Sequence, residues 1–229
     1  MKALGFLFAL WAIASLPFHQ QEEAISCTPK VTGLYEVTIG QQVWMTHNLD
    51  VAHFRNGDSI FHAKSVEEWE EAGRKGMPAW CYYNNDPANG PAYGKLYNWF
   101  AVNDPRGLAP EGWHVPNASE WYQLVDFLGG RNGAVGLQLK SKVGWNKERN
   151  GRNTTGFDAL PSGVRDTGDI ADANQGFGGM GAYGSWWSAS GPARRGDDLF
   201  SFVLSKGNGY TIHWNDEAVG LAVRCVKNQ

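Results

Sequence analysis

Asn117-Ala118-Ser119-Glu120-Trp121-Tyr122-Gln123-Leu124-Val125-Asp126-Phe127-Leu128-Gly129-Gly130 is the stretch that orders the rest of the chain. Asn117 and Glu120 stand at capping-box spacing directly after Pro116, so a helix begins there. Trp121, Leu124, Val125 and Leu128 recur at i, i+3, i+4 and i+7, one apolar stripe of a 3.6-residue period. Gly129-Gly130 supplies the left-handed backbone at which such a helix stops.

Upstream, Ser65 and Glu68 repeat the capping pattern and predict a short surface helix as far as Lys75, with Val66 and Trp69 turned inward. Gly76 and Pro78 end it. Leu96–Val102 reads as an aromatic-rich helix. Leu34–Ile39 alternates apolar and polar residues up to Gly40 and predicts a strand, with Gln42–Met45 as its partner. Beyond Gly144 no helical period survives. Leu199–Leu204 and Tyr210–Trp214 flank Gly207-Asn208-Gly209 as a β-hairpin, and Leu221–Val226 is a last strand. Helices in the first half, strands at both ends and a long irregular region between them give an α+β reading. A long irregular region inside a compact domain is usually a ligand-bearing one.

The chain has 29 Gly and 11 Trp, which suits a loop-rich fold held by aromatic packing. Its 20 Lys and Arg against 23 Asp and Glu leave no basic footprint for nucleic acid or an anionic membrane. Met1-Lys2 and the uncharged run Ala3–Phe18 have the layout of a secretory signal peptide, too short for a confident membrane span. Residues 1–26 are read as signal peptide and leader, 27–32 as a short linker, and 33–228 as one domain. Ala12-Ile13-Ala14 and Ala24-Ile25-Ser26 both offer small-x-small cleavage patterns. The second would make Cys27 a lipid-bearing first residue, although Glu22 and Glu23 interrupt the apolar region before it. With Cys27 set aside, Cys81 and Cys225 are either a disulfide pair in an oxidising compartment or two buried free thiols.

Six ordered blocks give a resemblance. They are Val37-Thr38-Ile39-Gly40-Gln41-Gln42-Val43-Trp44-Met45 with Asn48-Leu49, Tyr93-Gly94-Lys95-Leu96-Tyr97-Asn98-Trp99, and Pro110-Glu111-Gly112-Trp113-His114-Val115-Pro116. Gly156-Phe157-Asp158-Ala159-Leu160-Pro161-Ser162-Gly163, Trp186-Trp187-Ser188 and Val223-Arg224-Cys225-Val226 follow. Over about residues 33 to 228 the chain resembles the Fibrobacter succinogenes major paralogous domain of exported bacterial proteins. That resemblance implies a C-type-lectin-like fold, distantly similar to the formylglycine-generating sulfatase-modifying family, with two helices, paired terminal strands and a long loop region. Some members carry a cysteine where this chain has Ala109, which leaves Cys81 as the partner if Cys225 is bridged. The family's molecular function is largely uncharacterised, so the resemblance implies fold and location rather than chemistry.

Candidate sites follow from residue type. Trp214-Asn215-Asp216 resembles the Trp-Asn-Asp that supplies Ca²⁺ ligands in C-type lectins, but the companion Glu-Pro-Asn is absent, and an Asn-Asp turn after a hairpin strand reads the same residues. Asp166, Asp169, Asp172 and Asn174 form the best metal candidate, for Ca²⁺ if any, against the alternative of solvated loop acids. Trp186-Trp187 cannot both face one side of a strand, so one indole is a candidate stacking platform for a sugar or partner, as are Trp80 and Tyr82-Tyr83. Trp44, Trp99, Trp113 and Trp121 read as core. Gly176-Phe177-Gly178-Gly179-Met180-Gly181 matches G-x-G-x-x-G but lacks the βαβ frame of a dinucleotide site. His114 reads as a hydrogen-bonded core imidazole, and no other histidine has zinc spacing.

The expectation is an exported, non-catalytic recognition or surface-associated domain with a glycan or protein ligand and no obligatory cofactor. Ligand-binding candidates are Trp186, Trp187, Asp166, Asp169, Trp214, Asn215 and Asp216. An enzyme of the formylglycine-generating type, which needs a pair of active-site cysteines, and a structural cell-envelope component are the rival expectations.

Overall fold

The computed structural model describes residues 36–146, 149–166, 176–191 and 199–229. Signal peptide, linker, Cys27, Asp169, Asp172 and Asn174 lie outside the described residues. In chain order the strands are β1 Glu36–Ile39, β2 Gln42–Met45, β3 Phe61–His62, β4 Ala79–Cys81, β5 Leu96–Tyr97, β6 Trp113–His114, β7 Ser162–Arg165 and β8 Phe177–Met180. β9 Gly184–Trp187, β10 Leu199–Leu204, β11 Thr211–Asn215 and β12 Val226–Lys227 complete them. The helices are α1 Val66–Arg74, α2 Gly90–Tyr93, α3 Trp99–Val102, α4 Ala118–Phe127 and α5 Val135–Leu139. The protein is a mixed α/β fold with few helices and several small sheets.

α4 is built as its sequence dictates. Asn117 accepts from the Glu120 N–H, the Glu120 carboxylate accepts from the Asn117 N–H at 2.8 Å, and Trp121, Leu124 and Val125 are buried. α1 keeps half of its expected box: Ser65 caps Glu68, but the Glu68 carboxylate accepts from Lys64 N–H rather than from Ser65. Trp69 and Ala72 are its buried residues, and Val66 is only half-buried. The helix expected over Leu96–Val102 is instead the strand β5 followed by the single turn α3. Asn98 divides them, because its buried side chain accepts from both Ala101 and Ala79 N–H and donates to the Met77 carbonyl.

Three sheets form among the described residues, in the orders β1-β2-β12-β6, β11-β10-β9-β7-β8 and β3-β4-β5. The hairpins expected at both ends form, β1 with β2 around Gly40 (φ +64°) and β10 with β11. The first hairpin and the last strand share a sheet, through the pairing of Val226 with Trp44. The segment read as one last strand behaves differently over most of its length. Gly220, Leu221 and Ala222 make single bridges to Arg165, Tyr97 and Trp186, one in each of β7, β5 and β9. Leu49 and Met45 N–H then donate to the Val223 and Cys225 carbonyls before β12 begins. Residues 220–227 are therefore the seam that joins all three sheets.

The core lies on both sides of that seam. One cluster gathers Trp44, Trp69, Trp121, Trp186 and Phe202, and the other Trp80, Trp99, Trp113, Trp187 and Val223. Trp186 and Trp187 point to opposite faces of β9, as strand geometry requires. Both are nevertheless fully buried, at 0% exposure, because each face of the five-stranded sheet carries its own cluster. Neither is a surface platform, which corrects the sequence expectation.

Candidate functional site

The blocks that carry the sequence resemblance meet inside the protein. Asn48, after β2, places its side-chain oxygen to accept from Trp186 Nε1 at 2.8 Å and from Arg224 Nη2 and Nε at 2.8 and 3.2 Å. Its amide donates to the Tyr93 carbonyl at 2.9 Å. Arg224 also donates to the Phe157 carbonyl and lies 4.4 Å from the Phe157 ring centre. Five of the six blocks thus converge on one buried hydrogen-bonded node. Burial lowers the Arg224 pKa to about 9, opposed by the field of Asp158. The node fixes the seam and is closed to a ligand, Asn48 being 4% and Arg224 1% exposed.

The other buried cations are used in the same way. Lys95 pairs with the Asp50 carboxylate, donates to the Tyr82 hydroxyl at 3.1 Å, and sits 4.4 Å from the Trp80 ring centre. His62 stacks on the Trp80 ring at 3.8 Å. Trp80 and Tyr82, candidates for stacking on a ligand, are therefore engaged by Lys95 and His62, and Tyr83 is buried against Phe177. Arg165 lies between Trp69 and Phe177 and donates to Asn85 and to the Ser65 carbonyl. Lys140 donates to the Ser205 and Gly207 carbonyls, with its amine 4.8 Å from the Trp145 ring centre.

Cys81 and Cys225 are both buried free thiols, which corrects the disulfide pairing. Cys81 belongs to one core cluster and Cys225 to the other, so the packing separates them. Burial pushes Cys81 up to about 11 and Cys225 up to about 12, away from the thiolate that nucleophilic or redox chemistry needs.

His114 is half-exposed rather than core, and both ring nitrogens are held, by Asn228 and Glu120 oxygens at 2.7 Å each. The G-x-G-x-x-G stretch forms β8 antiparallel to β7, and the next element is the strand β9 rather than a helix. Asp166 is half-buried at the end of β7, where its N–H donates to the Gly176 carbonyl at 2.7 Å. Among the described residues no group of three His, Cys, Asp or Glu side chains is placed to hold a metal ion.

Trp214-Asn215-Asp216 resolves into three separate roles. Asn215 donates across the hairpin to the Ser201 hydroxyl at 2.7 Å, and Asp216 accepts from Ala218 N–H at 3.2 Å. Those two make the hairpin end and the turn that was the alternative reading. Trp214 is different: it stays 51% exposed on β11, an outer strand of the five-stranded sheet. Its cross-strand partner is the buried Phe200, and the two rings meet edge to face at 5.9 Å. Tyr122 on α4, 45% exposed, meets the same Phe200 ring at 5.7 Å.

Sequence reasoning missed Tyr122 and the other exposed aromatic of α4, Phe127, although a signal was present. Neither falls on the Trp121–Leu128 apolar stripe, so an amphipathic helix must show both rings to solvent.

Among the described residues no helix is long and apolar enough to cross a membrane. The family model of the Fibrobacter succinogenes major domain matches residues 37–227, most of the chain. No curated protein and no solved structure matches it.

Proposed function

We propose, taking as premise that the chain belongs to the Fibrobacter succinogenes major domain family, that it is an exported, non-catalytic recognition domain whose ligand is a glycan stacked on Trp214. The observation that carries this reading is the exposed pair of aromatic rings, Trp214 and Tyr122, braced from below by Phe200. A large indole left half in water on an outer strand costs solvation that its burial against a sugar face would recover, and Phe200 holds it without a rotamer search.

Export rests on Met1–Phe18 and stays with the sequence. A C-type-lectin-like frame is the finer form of the fold reading, supported by the first hairpin and last strand sharing a sheet and by two capped helices in the first half. Burial of both described thiols weighs against chemistry of the formylglycine-generating type.

A glycan array run with and without Ca²⁺ tests the proposal. Binding to a plant or bacterial polysaccharide that falls at least about tenfold in Trp214→Ala, or about 1.4 kcal/mol, is the expected result. Uniform silence, or binding unchanged in Trp214→Ala, overturns it. Dependence on Ca²⁺ would bring the Asp166, Asp169, Asp172 and Asn174 loop into the site.

A further inference from the structure

A second surface feature is chemically unlike the Trp214 pair. Between the turn of the β1–β2 hairpin and the outer face of α4 lies a depression of about 530 Å³, lined by Ile39, Gly40, Gln41, Gln42, Gln123 and Phe127. That volume is within the roughly 300–1,000 Å³ of small-molecule sites.

Its floor is fixed by the local sequence. Gly40 takes φ +64°, and a β-carbon there would stand 3.0 Å from two carbons of the Phe127 ring, so the ring lies directly on the bare turn. The rest of that ring is open, with Phe127 63% exposed. Gln123 is one helical turn before Phe127 on the same face of α4. Gln42 is a wall rather than a contact, since its amide donates to the Glu120 carbonyl and its oxygen accepts from Trp44 Nε1. Gln41 and Gln123 are exposed, and neither side-chain amide has a hydrogen-bond partner among the described residues.

We infer that this depression is a binding subsite for a neutral sugar residue. An amide side chain both donates and accepts, which matches the paired donor and acceptor character of sugar hydroxyls. The Phe127 ring offers an apolar face for a pyranose C–H face. No charged residue lines the walls, so nothing selects for a carboxylate, a sulfate or a cation. Two open amides flanking one exposed ring suit a polyhydroxylated, uncharged ligand better than an apolar peptide side chain, which would bury both amides without partners. The inference rests on the glycan reading of the protein and is independent of Trp214.

The test is a ¹⁵N NMR titration of the full chain with cellohexaose as the neutral probe and a hexamer of galacturonic acid as the charged one. Cellohexaose is expected to shift the side-chain amide signals of Gln41 and Gln123. Phe127→Ala, read at both amides, and Gln123→Ala, read at Gln41, should each weaken that response about three- to tenfold, while Trp214→Ala leaves it in place. Both variant sites are exposed, and unchanged dispersion of the remaining amides verifies folding. Shifts confined to the surroundings of Trp214 overturn the subsite and leave the Trp214 reading standing. Silence at both places overturns the subsite, while the Trp214 reading is decided by the array. Equal or tighter binding of the acidic hexamer, or response to an apolar peptide alone, overturns the assignment to a neutral sugar.

Discussion

Asn48→Ala removes the acceptor that Trp186 Nε1 and two guanidinium nitrogens of Arg224 share. Arg224 would keep the Phe157 carbonyl, the ring faces of Phe157 and Trp186, and the field of Asp158 as company for its charge. Breaking one side of a buried charged interaction costs about 3–5 kcal/mol. Against a total stability of roughly 5–15 kcal/mol for a domain of this kind, that loss is about a fifth or more. Arg224→Met behaves differently, because it removes the charge along with its need for partners. The price of burying that charge shows in the lowered Arg224 pKa. Its cost is expected within about 2 kcal/mol of zero, chiefly the unpaired Phe157 carbonyl. In the double variant Asn48→Ala with Arg224→Met, the orphaned charge no longer exists, so stability should recover by about 2 kcal/mol relative to Asn48→Ala alone. Urea unfolding followed by tryptophan fluorescence measures all three. With a slope of about 2 kcal/mol per molar urea, Asn48→Ala should lower the midpoint by about 2 M. A loss below about 1 kcal/mol in Asn48→Ala, or additive losses in the double variant, would refute the reasoning.

Two further outcomes follow from the buried and half-buried titrating groups. In native protein at pH 8, peptide mapping after iodoacetamide should find Cys81 and Cys225 unmodified, and both alkylated after denaturation; native labelling of either would contradict their burial and raised pKa values. Burial, then the fields of Lys64 and Lys95, lower the His62 pKa below 6.5, with Glu68 opposing them. Between that lowered value and 6.5 the unfolded chain binds more protons, so His62 makes stability fall as the pH drops below 6.5. An NMR titration of the His62 ring should show a midpoint under 6.5, and a midpoint above it would show that the Trp80 stack favours the charged ring.

The legible parts of the fold are those in which side chains act on their own neighbourhood. Asn117 and Glu120 specify α4 through two local hydrogen bonds, and Gly40 specifies the first hairpin through its own backbone angle. Leu96–Val102 misleads because an Asn98 side chain reaching Ala79 and Met77 decides where strand becomes helix, and that contact is long-range. Residues 221–226 mislead for a related reason. Their apolar run is correct for a buried strand, but three different sheets share its backbone. Trp186-Trp187 shows the same limit: alternation predicts opposite faces, and only the tertiary structure shows that both faces are covered. Sequence alone allows either pairing or separate burial for Cys81 and Cys225, and the division of the core into two clusters decides it.

Where the motif residues fall also explains why membership in a family says so little about ligands here. Asn48, Tyr93, Phe157, Trp186 and Arg224 come from five separated blocks and meet in one buried node. Lys95, from the second of these blocks, closes the aromatic pocket of Trp80 and Tyr82 from within. A pattern of this kind specifies how three small sheets are sewn together by residues 220–227, and it would do so whatever the surface bound. Tyr122, Gln123, Phe127 and Trp214 lie outside every block; of the groups assigned here to ligand contact, Gln41 alone lies inside one, at the apex of the hairpin that Gly40 turns. The frame and the recognition chemistry are therefore carried by nearly separate sets of residues. Substitution at Trp214 or Phe127 should alter binding with little effect on stability, and substitution at Asn48 the reverse.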